Sequence, residues 1–114
     1  MSLAIAGMGW VTPLGNGVDA VWERLLRGDE ASATPISEKF GDRSYSAFRV
    51  PESALTGLAH PRLRRASLIS RFAAAAGLEA LQAARVKVDS QNAGRIALVF
   101  VFACTSRLGT WIKR

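Results

Sequence analysis

Residues 3–17, which read L-A-I-A-G-M-G-W-V-T-P-L-G-N-G, determine how the rest of the chain is interpreted. The stretch begins with a continuous apolar run at residues 3–6, which is typical of a strand covered on both faces in a parallel sheet. Glycines follow, and because Pro13 lacks an amide donor and fixes φ, the chain must leave the sheet there. The pattern therefore predicts a buried parallel strand that turns into a helix beginning near Gly17.

The helix predicted after this turn covers residues 17–27, and its apolar side chains recur at helical spacing. The side chain of Asn16 is placed to cap its first turn, and Gly28 is placed to end it in the left-handed conformation. Glu23 and Arg27 are spaced as an i,i+4 ion pair. The apolar side chains form one continuous stripe, which consists of Val18, Val21, Trp22, Leu25 and Leu26.

The middle of the chain, residues 29–61, is predicted to be a long irregular excursion. Its hydrophobic residues are isolated among Ser, Thr, Pro and Gly, and a stretch of this kind usually forms a functional loop or a packing surface. One short strand is expected within residues 44–50.

A second helix is predicted from either Arg62 or Ser67 to Arg85, with an alanine block that lets it approach a sheet or another helix closely. A polar turn at residues 89–94 follows. The unbroken apolar run at residues 95–103 then predicts a central strand shielded on both faces. The order strand, helix, irregular segment, helix, strand predicts an α/β layered fold.

Composition bounds the possible functions. The chain has 114 residues and a net charge of +6, divided into −2 over residues 1–60 and +8 over residues 61–114. Hydrophobic residues make up 49% and charged residues 21%, which is ordinary globular usage. No apolar run approaches the roughly 18–20 residues that span a bilayer. The N-terminus lacks the basic region of a signal peptide, so we expect a cytoplasmic protein without membrane association.

Two segments carry a family resemblance. The run A-G-M-G-W-V-T-P-L-G-N-G-V-D-A-V-W-E-R-L-L-R-G at residues 6–28 resembles the amino terminus of β-ketoacyl synthases, the condensing enzymes of fatty-acid and polyketide synthesis. Its glycine pair, T-P-L-G and W-x-x-L-L-x-G match in order and spacing. R-x-S-x-x-S-R-F-A-A-A-A-G-L-E-A-L at residues 65–81 resembles the corresponding ketosynthase helix.

The resemblance implies a thiolase-like layered α/β fold, with residues 1–114 as an incomplete N-terminal ketosynthase domain. It also implies a decarboxylative Claisen condensation of an acyl thioester with a malonyl thioester, and acyl carrier protein as the partner. In that family a cysteine takes the acyl group, two histidines assist decarboxylation, and backbone donors hold the oxyanion.

Two residues are candidates for that chemistry. Cys104 stands in A-C-T-S, similar to the family's A-C-S-S nucleophile elbow, but the family's cysteine comes later in the chain, so we interpret Cys104 as a small structural thiol. His60 matches neither family histidine and is interpreted as a loop residue. One His and one Cys do not form a metal site or a disulfide. We therefore assign no catalytic, cofactor-binding or metal-binding residue and expect no cofactor.

The tail at residues 104–114 departs from the family, which has a glycine-rich segment after this strand. We hypothesise that the reading frame shifts near residues 101–104. Resequencing checks this, because a long open frame one base away supports the shift and its absence contradicts it.

The pair Gly7-x-Gly9 also invites a dinucleotide-binding interpretation, since it follows a predicted strand and opens toward a helix. That fingerprint requires a third glycine where Thr12 stands, followed here by Pro13. The signal is therefore weak.

The basic cluster, which we define as Arg62, Arg64, Arg65 and Arg71, has three interpretations. It could bind nucleic-acid phosphates, dock acidic acyl carrier protein, or have a structural role, either as a solvated helix start or as charges that pair with the remainder of a longer enzyme. Aromatic residues are not interleaved with these arginines, which disfavours nucleic acid.

We expect the chain by itself to lack condensing activity, and a noncatalytic interaction module partnering a complete ketosynthase is the alternative. Two strands and two helices leave sheet edges and apolar helix faces uncovered, which predicts a homo-oligomer, association with a longer ketosynthase chain, or a rearranged fold.

Overall fold

A computed structural model describes residues 2–36 and 44–102 of the chain. These residues form a mixture of helices and small sheets, so the predicted combination of α and β structure is confirmed, whereas both sheets are antiparallel instead of parallel. The helices are α1 (Val18–Leu26) and α2 (Leu68–Ala84). Strand β1 (Val11–Thr12) pairs with β2 (Gly15–Asn16), and β3 (Ala33–Pro35) pairs with β4 (Ser46–Phe48).

Helix α2 is the longest element of the described chain and begins at the later of its two predicted starts. Ser67 is its N-cap, and the Ser67 hydroxyl accepts a hydrogen bond from the Ser70 amide at 3.2 Å. A short 3₁₀ turn, Pro61–Leu63, precedes the cap and accounts for the earlier helical pattern. The helix ends as predicted at Arg85, which adopts the left-handed conformation with φ of 54°.

Helix α1 is terminated by the glycine that follows it, as the sequence predicts. Gly28 has φ of 77°, and its amide donates to the Leu25 carbonyl at 3.0 Å while the Asp29 amide donates to the Arg24 carbonyl at 3.0 Å. This pair of bonds is the Schellman arrangement, which satisfies carbonyls that the last turn leaves free.

The start of α1 differs from the prediction. Asn16 does not cap the helix: it lies in β2, paired with Val11, and the N-cap is Gly17 without a side-chain cap. The reason is that Asn16 is held in the β1–β2 hairpin, which Pro13 helps to turn, so its backbone follows the strand and not the helix entry.

The predicted apolar stripe of α1 is mostly uncovered. Val21 is buried at 2% exposure, but Trp22 is 54% and Leu26 is 71% exposed. Val18 is half-buried, so the described residues cover the beginning of the stripe and leave its later part largely open to solvent. Arg27 pairs with Asp29 at 3.3 Å and not with the predicted partner Glu23.

The prediction that residues 3–6 and 95–103 form buried strands is also wrong for the part of these runs that the structure describes. Neither belongs to a sheet of the described chain, and side chains in both are open to solvent, with Leu3 95% and Val101 91% exposed. A strand needs a hydrogen-bonded neighbour on at least one side, and the part of the chain that is described supplies none. The radius of gyration is 17.0 Å, against about 13 Å for a compact domain of this size.

Within residues 29–36 and 44–61 the structure has short elements: the antiparallel pair β3–β4, which includes the strand expected within residues 44–50, and a 3₁₀ turn, Glu52–Leu55, that packs against α2 and buries Ala54. The polar turn predicted at residues 89–94 is confirmed, because a carboxylate oxygen of Asp89 accepts the amides of Gln91 and Asn92 at 2.9 Å.

Candidate functional site

The glycine pair of the opening segment lies directly on the backbone of α2. A Cβ built on Gly9 would overlap the carbonyl oxygen of Ala76, and one built on Gly7 would overlap the carbonyl of Ala80 and come within 2.7 Å of the Ala84 amide nitrogen. The alanines are spaced four residues apart and form one thin ridge of the helix. Glycine is therefore required at both positions because backbone meets backbone. The alanine-rich helix makes a close contact, but with a segment that lies in neither a sheet nor a helix.

The carboxylate of Glu79 joins α2 to the start of α1. One oxygen accepts a hydrogen bond from the Val18 amide at 2.7 Å, and the other accepts from the Trp10 amide at 3.0 Å. Val18 is the first residue of α1, whose free amides and positive dipole end favour a negative charge. Glu79 therefore supplies, from 61 residues away in sequence, the cap that Asn16 was expected to provide.

The role of Glu79 was not predicted from the sequence. A signal was present, because Glu79 is the only acidic residue between Glu52 and Asp89 and lies within an alanine-rich helix. Its partners are backbone amides, however, and these leave no trace in side-chain patterning.

The β1–β2 hairpin between these contacts is closed by its own polar groups. The Thr12 hydroxyl donates to the Gly15 carbonyl at 2.8 Å and accepts from the Leu14 amide at 3.2 Å. Arg24 of α1 donates to the Leu14 carbonyl and forms an ion pair with Asp29 at 3.2 Å. The hairpin is thereby tied to α1 at one side and, through Glu79, to α2 at the other.

These contacts argue against dinucleotide binding at Gly7-x-Gly9. Phosphate binding at such a turn uses the glycines for close backbone approach and the first free amides of the following helix. Here the glycines are packed against α2, and the Val18 amide is already bonded to Glu79. The pair is a packing element, and the geometry gives a pyrophosphate no place there.

The basic cluster separates into two parts in the structure. Arg62, Arg64 and Arg65 are exposed around the 3₁₀ turn that precedes α2, whereas Arg71 lies in the first turn of α2 and is half-buried. The Nε atom of Arg71 is buried and has no hydrogen-bond partner. The ion pairs found within the described ranges involve Arg24 and Arg27 and none of the four cluster arginines.

Comparison with known proteins places the chain in a family. The family described as "Beta-ketoacyl synthase, N-terminal domain" matches residues 2–110. This chain belongs to the β-ketoacyl synthase family. The resemblance inferred from the glycine turn and the alanine-rich helix is confirmed.

Two curated relatives agree with this assignment. The chain is 27% identical over 106 residues to "3-oxoacyl-[acyl-carrier-protein] synthase 2" of Vibrio cholerae serotype O1, and 27% identical over 107 residues to the protein of the same name in Vibrio harveyi. Each match covers 84% of this chain and 24% of the relative. The chain thus spans about a quarter of the length of the relatives it matches. No solved structure matches it significantly.

The residue types that perform chemistry in β-ketoacyl synthases are sparse here. His60 is exposed, and its Nδ1 accepts the Arg62 amide at 3.2 Å, so it caps the 3₁₀ turn. Cys104 and the tail at residues 104–114 lie outside the described residues. Among the residues that are described, no group of three or more His, Cys, Asp and Glu side chains is arranged to hold a metal ion, and no helix is long and apolar enough to cross a membrane.

Proposed function

We propose that the chain is the N-terminal part of a β-ketoacyl-acyl-carrier-protein synthase of the cytoplasm. The observation that carries the proposal is the family match over residues 2–110. The glycine pair and the alanine-rich helix through which the family was recognised also contact each other in the structure. The complete reaction would be a decarboxylative Claisen condensation, in which a cysteine thioester is attacked by the carbanion equivalent released from a malonyl thioester.

In this proposed enzyme, residues 1–114 have a structural role and carry no catalytic residue. The family's cysteine and two histidines are placed later in the chain, and neither His60 nor Cys104 takes their roles. The Gly7–Gly9 contact and the Glu79 bridge hold the opening hairpin, α1 and α2 together as one unit. In the complete enzyme, this unit would support the part of the fold that carries the catalytic residues.

The first test is condensing activity of the chain by itself. With an acyl thioester and malonyl-acyl carrier protein as substrates, we expect no 3-ketoacyl product above the blank, because the chain holds one histidine and one cysteine. Product formed at a rate above that of a C104A variant would overturn the proposed role and assign the chemistry to this segment.

Acyl carrier protein is the proposed partner, and the exposed arginines Arg62, Arg64 and Arg65 are its proposed docking surface. Such a carrier is acidic, and exposed charges facing an opposite potential raise the association rate and make binding sensitive to salt. The arginines lie in a stretch without an acidic residue from position 53 to position 78, so no neighbour in sequence neutralises them.

Charge reversal tests this surface. We expect R62E and R65E to weaken binding of acyl carrier protein about fivefold at low salt, whereas R49E, an exposed arginine of the β3–β4 region, changes it less than about twofold. Equal losses in all three variants would show a net-charge effect and reject the surface. Salt-sensitive binding to DNA without binding to the carrier would favour the nucleic-acid interpretation.

An interaction module without catalytic activity is the second candidate function. It is favoured by the large apolar side chains left in solvent, among them Leu3, Ile5, Val99 and Val101, each at least 85% exposed, since patches of this kind mark contact surfaces. Co-purification with a longer ketosynthase chain would support it. A monomeric mass in solution, in the presence and absence of that chain, would reject both the module and the predicted homo-oligomer.

A further inference from the structure

Ser67, the N-cap of α2, closely follows the arginines of the docking surface in sequence. Residues 63–68 read L-R-R-A-S-L, so Arg64 and Arg65 stand three and two positions before the serine. No other Ser or Thr in the 114-residue sequence has arginine at both of these positions. The segment thus places two cations before a hydroxyl group and an apolar residue, Leu68, directly after it.

This order of residues is the kind that basophilic serine kinases select. Such a kinase presents acidic side chains that pair with arginines ahead of the acceptor hydroxyl, and an apolar pocket for the residue that follows it. No Asp or Glu occurs from position 53 to position 78, so no carboxylate of this stretch competes for the two arginines. The sequence around Ser67 therefore fits the substrate groove of a kinase of this class.

The structure leaves the serine within reach of a kinase. Ser67 and both arginines are exposed, and the Ser67 backbone is already extended, with φ of −61° and ψ of 159°. The preceding turn, in which the Ala66 amide donates to the Leu63 carbonyl at 3.1 Å, must open for the arginines to extend as well. Segments at the ends of helices open locally at a small cost in free energy.

We propose that Ser67 is a phosphorylation site for a basophilic protein kinase. In the transfer, the Ser67 Oγ attacks the γ-phosphorus of a nucleoside triphosphate that the kinase supplies with Mg²⁺. The Oγ–P bond forms as the bond between that phosphorus and the β–γ bridging oxygen breaks, and the nucleoside diphosphate leaves with the electron pair. The hydroxyl proton passes to the catalytic aspartate of the kinase. The phosphoserine carries a charge of about −1.5 to −2 at neutral pH.

A phosphate at this position acts on both α2 and the docking surface. The Ser67 hydroxyl accepts the Ser70 amide at 3.2 Å, and phosphate oxygens are stronger acceptors that also face the positive end of the helix dipole. The modification adds negative charge within three residues of Arg64 and Arg65, which opposes the approach of acidic acyl carrier protein. This regulatory effect rests on the proposed function, whereas phosphorylation of Ser67 does not.

The first measurement is phosphate incorporation into the full 114-residue chain, with magnesium ATP and the catalytic subunit of cyclic-AMP-dependent protein kinase as the probe. We expect about one phosphate per chain, located on Ser67 by mass spectrometry. Incorporation should fall about tenfold or more in S67A and change less than about twofold in S70A. S70A is the matched control, because Ser70 is an exposed serine bonded to the Ser67 hydroxyl at 2.9 Å but lacks the two preceding arginines.

The outcomes of this measurement decide the phosphorylation site. Absence of incorporation into the folded chain, or equal incorporation into S67A, overturns it. Should S67A fail to fold by circular dichroism, R65Q decides instead, because this variant keeps the serine cap. We expect the phosphorylation rate of R65Q to fall about tenfold, and an unchanged rate overturns the proposal.

The second measurement compares the binding of acyl carrier protein by the unmodified and the phosphorylated chain at low salt. We expect phosphorylation to weaken binding about fivefold, and an unchanged affinity overturns the regulatory effect. If the unmodified chain does not bind the carrier, the docking surface of the proposed function is rejected and the regulatory effect with it. Phosphate incorporation decides separately whether Ser67 is the acceptor, so the two failures are distinguished.

Discussion

The opening segment and the apolar run at residues 96–102 both lie against α2, and they do so in different ways. Gly7 and Gly9 bring their backbone onto the carbonyls of Ala80 and Ala76, so the contact allows no added atom. At the other segment, the Phe100 ring approaches Gly77 of α2 while 44% of Phe100 remains exposed. The more hydrophobic segment is thus the less tightly held, because glycine and a capping carboxylate fix the first contact whereas apolar surface alone supports the second.

The largest expected effect comes from breaking the tight contact. G9A places a methyl group into the Ala76 carbonyl, which α2 cannot move without disturbing its own hydrogen bonds. We expect a loss of about 3 kcal/mol in the free energy of unfolding, measured by urea denaturation followed by circular dichroism.

The matched control for G9A is G94A, since a Cβ on Gly94 meets nothing within 4 Å and its backbone is not left-handed. We expect G94A to lie within about 0.5 kcal/mol of the parent. If G9A and G94A have the same midpoint and slope, the backbone contact between the opening segment and α2 is not present in solution.

A smaller effect is expected from removing the Glu79 bridge. E79A leaves the Val18 and Trp10 amides without their acceptor, and loss of a helix cap together with a charge-assisted hydrogen bond costs about 2 kcal/mol. E79Q keeps one acceptor oxygen and loses the charge that faces the α1 dipole, so its loss should be about half as large.

E23Q is the control for E79Q, because Glu23 is an exposed carboxylate of α1. It should change the unfolding free energy by less than about 0.5 kcal/mol. A loss in E23Q equal to that in E79Q would attribute the effect to net charge and contradict the bridge.

The contrast also shows which features can be predicted from sequence. The C-terminal ends of both helices were predicted, since Gly28 follows α1 and Arg85 follows α2. The start of α2 was narrowed only to Arg62 or Ser67, of which Ser67 is the cap. The exposure of residues 3–6 and 95–102 could not be predicted from the sequence. An apolar strand is buried only when other segments cover it, and the described residues leave both runs uncovered.

The same limit applies to the candidate site. The basic cluster is visible in sequence as four arginines, but sequence cannot divide them into exposed Arg62 and half-buried Arg71, since that division depends on which side of α2 the preceding turn occupies. Glu79 was missed for the same reason: its partners are amides brought near by the fold.

The smallest effect is predicted for G77A, which tests the looser contact, between α2 and Phe100. Gly77 lies in the interior of α2, where alanine is preferred to glycine by up to about 1 kcal/mol. A Cβ at this position would lie 3.3 Å from the Phe100 ring, and this ring, unlike the Ala76 carbonyl facing Gly9, is the end of a partly exposed side chain that is free to move. We therefore expect G77A to stabilise the chain by about 0.5 kcal/mol, measured by the same urea denaturation. A destabilisation approaching that of G9A would show that residues 96–102 are held as firmly as the opening segment, and the difference between the two contacts would then disappear.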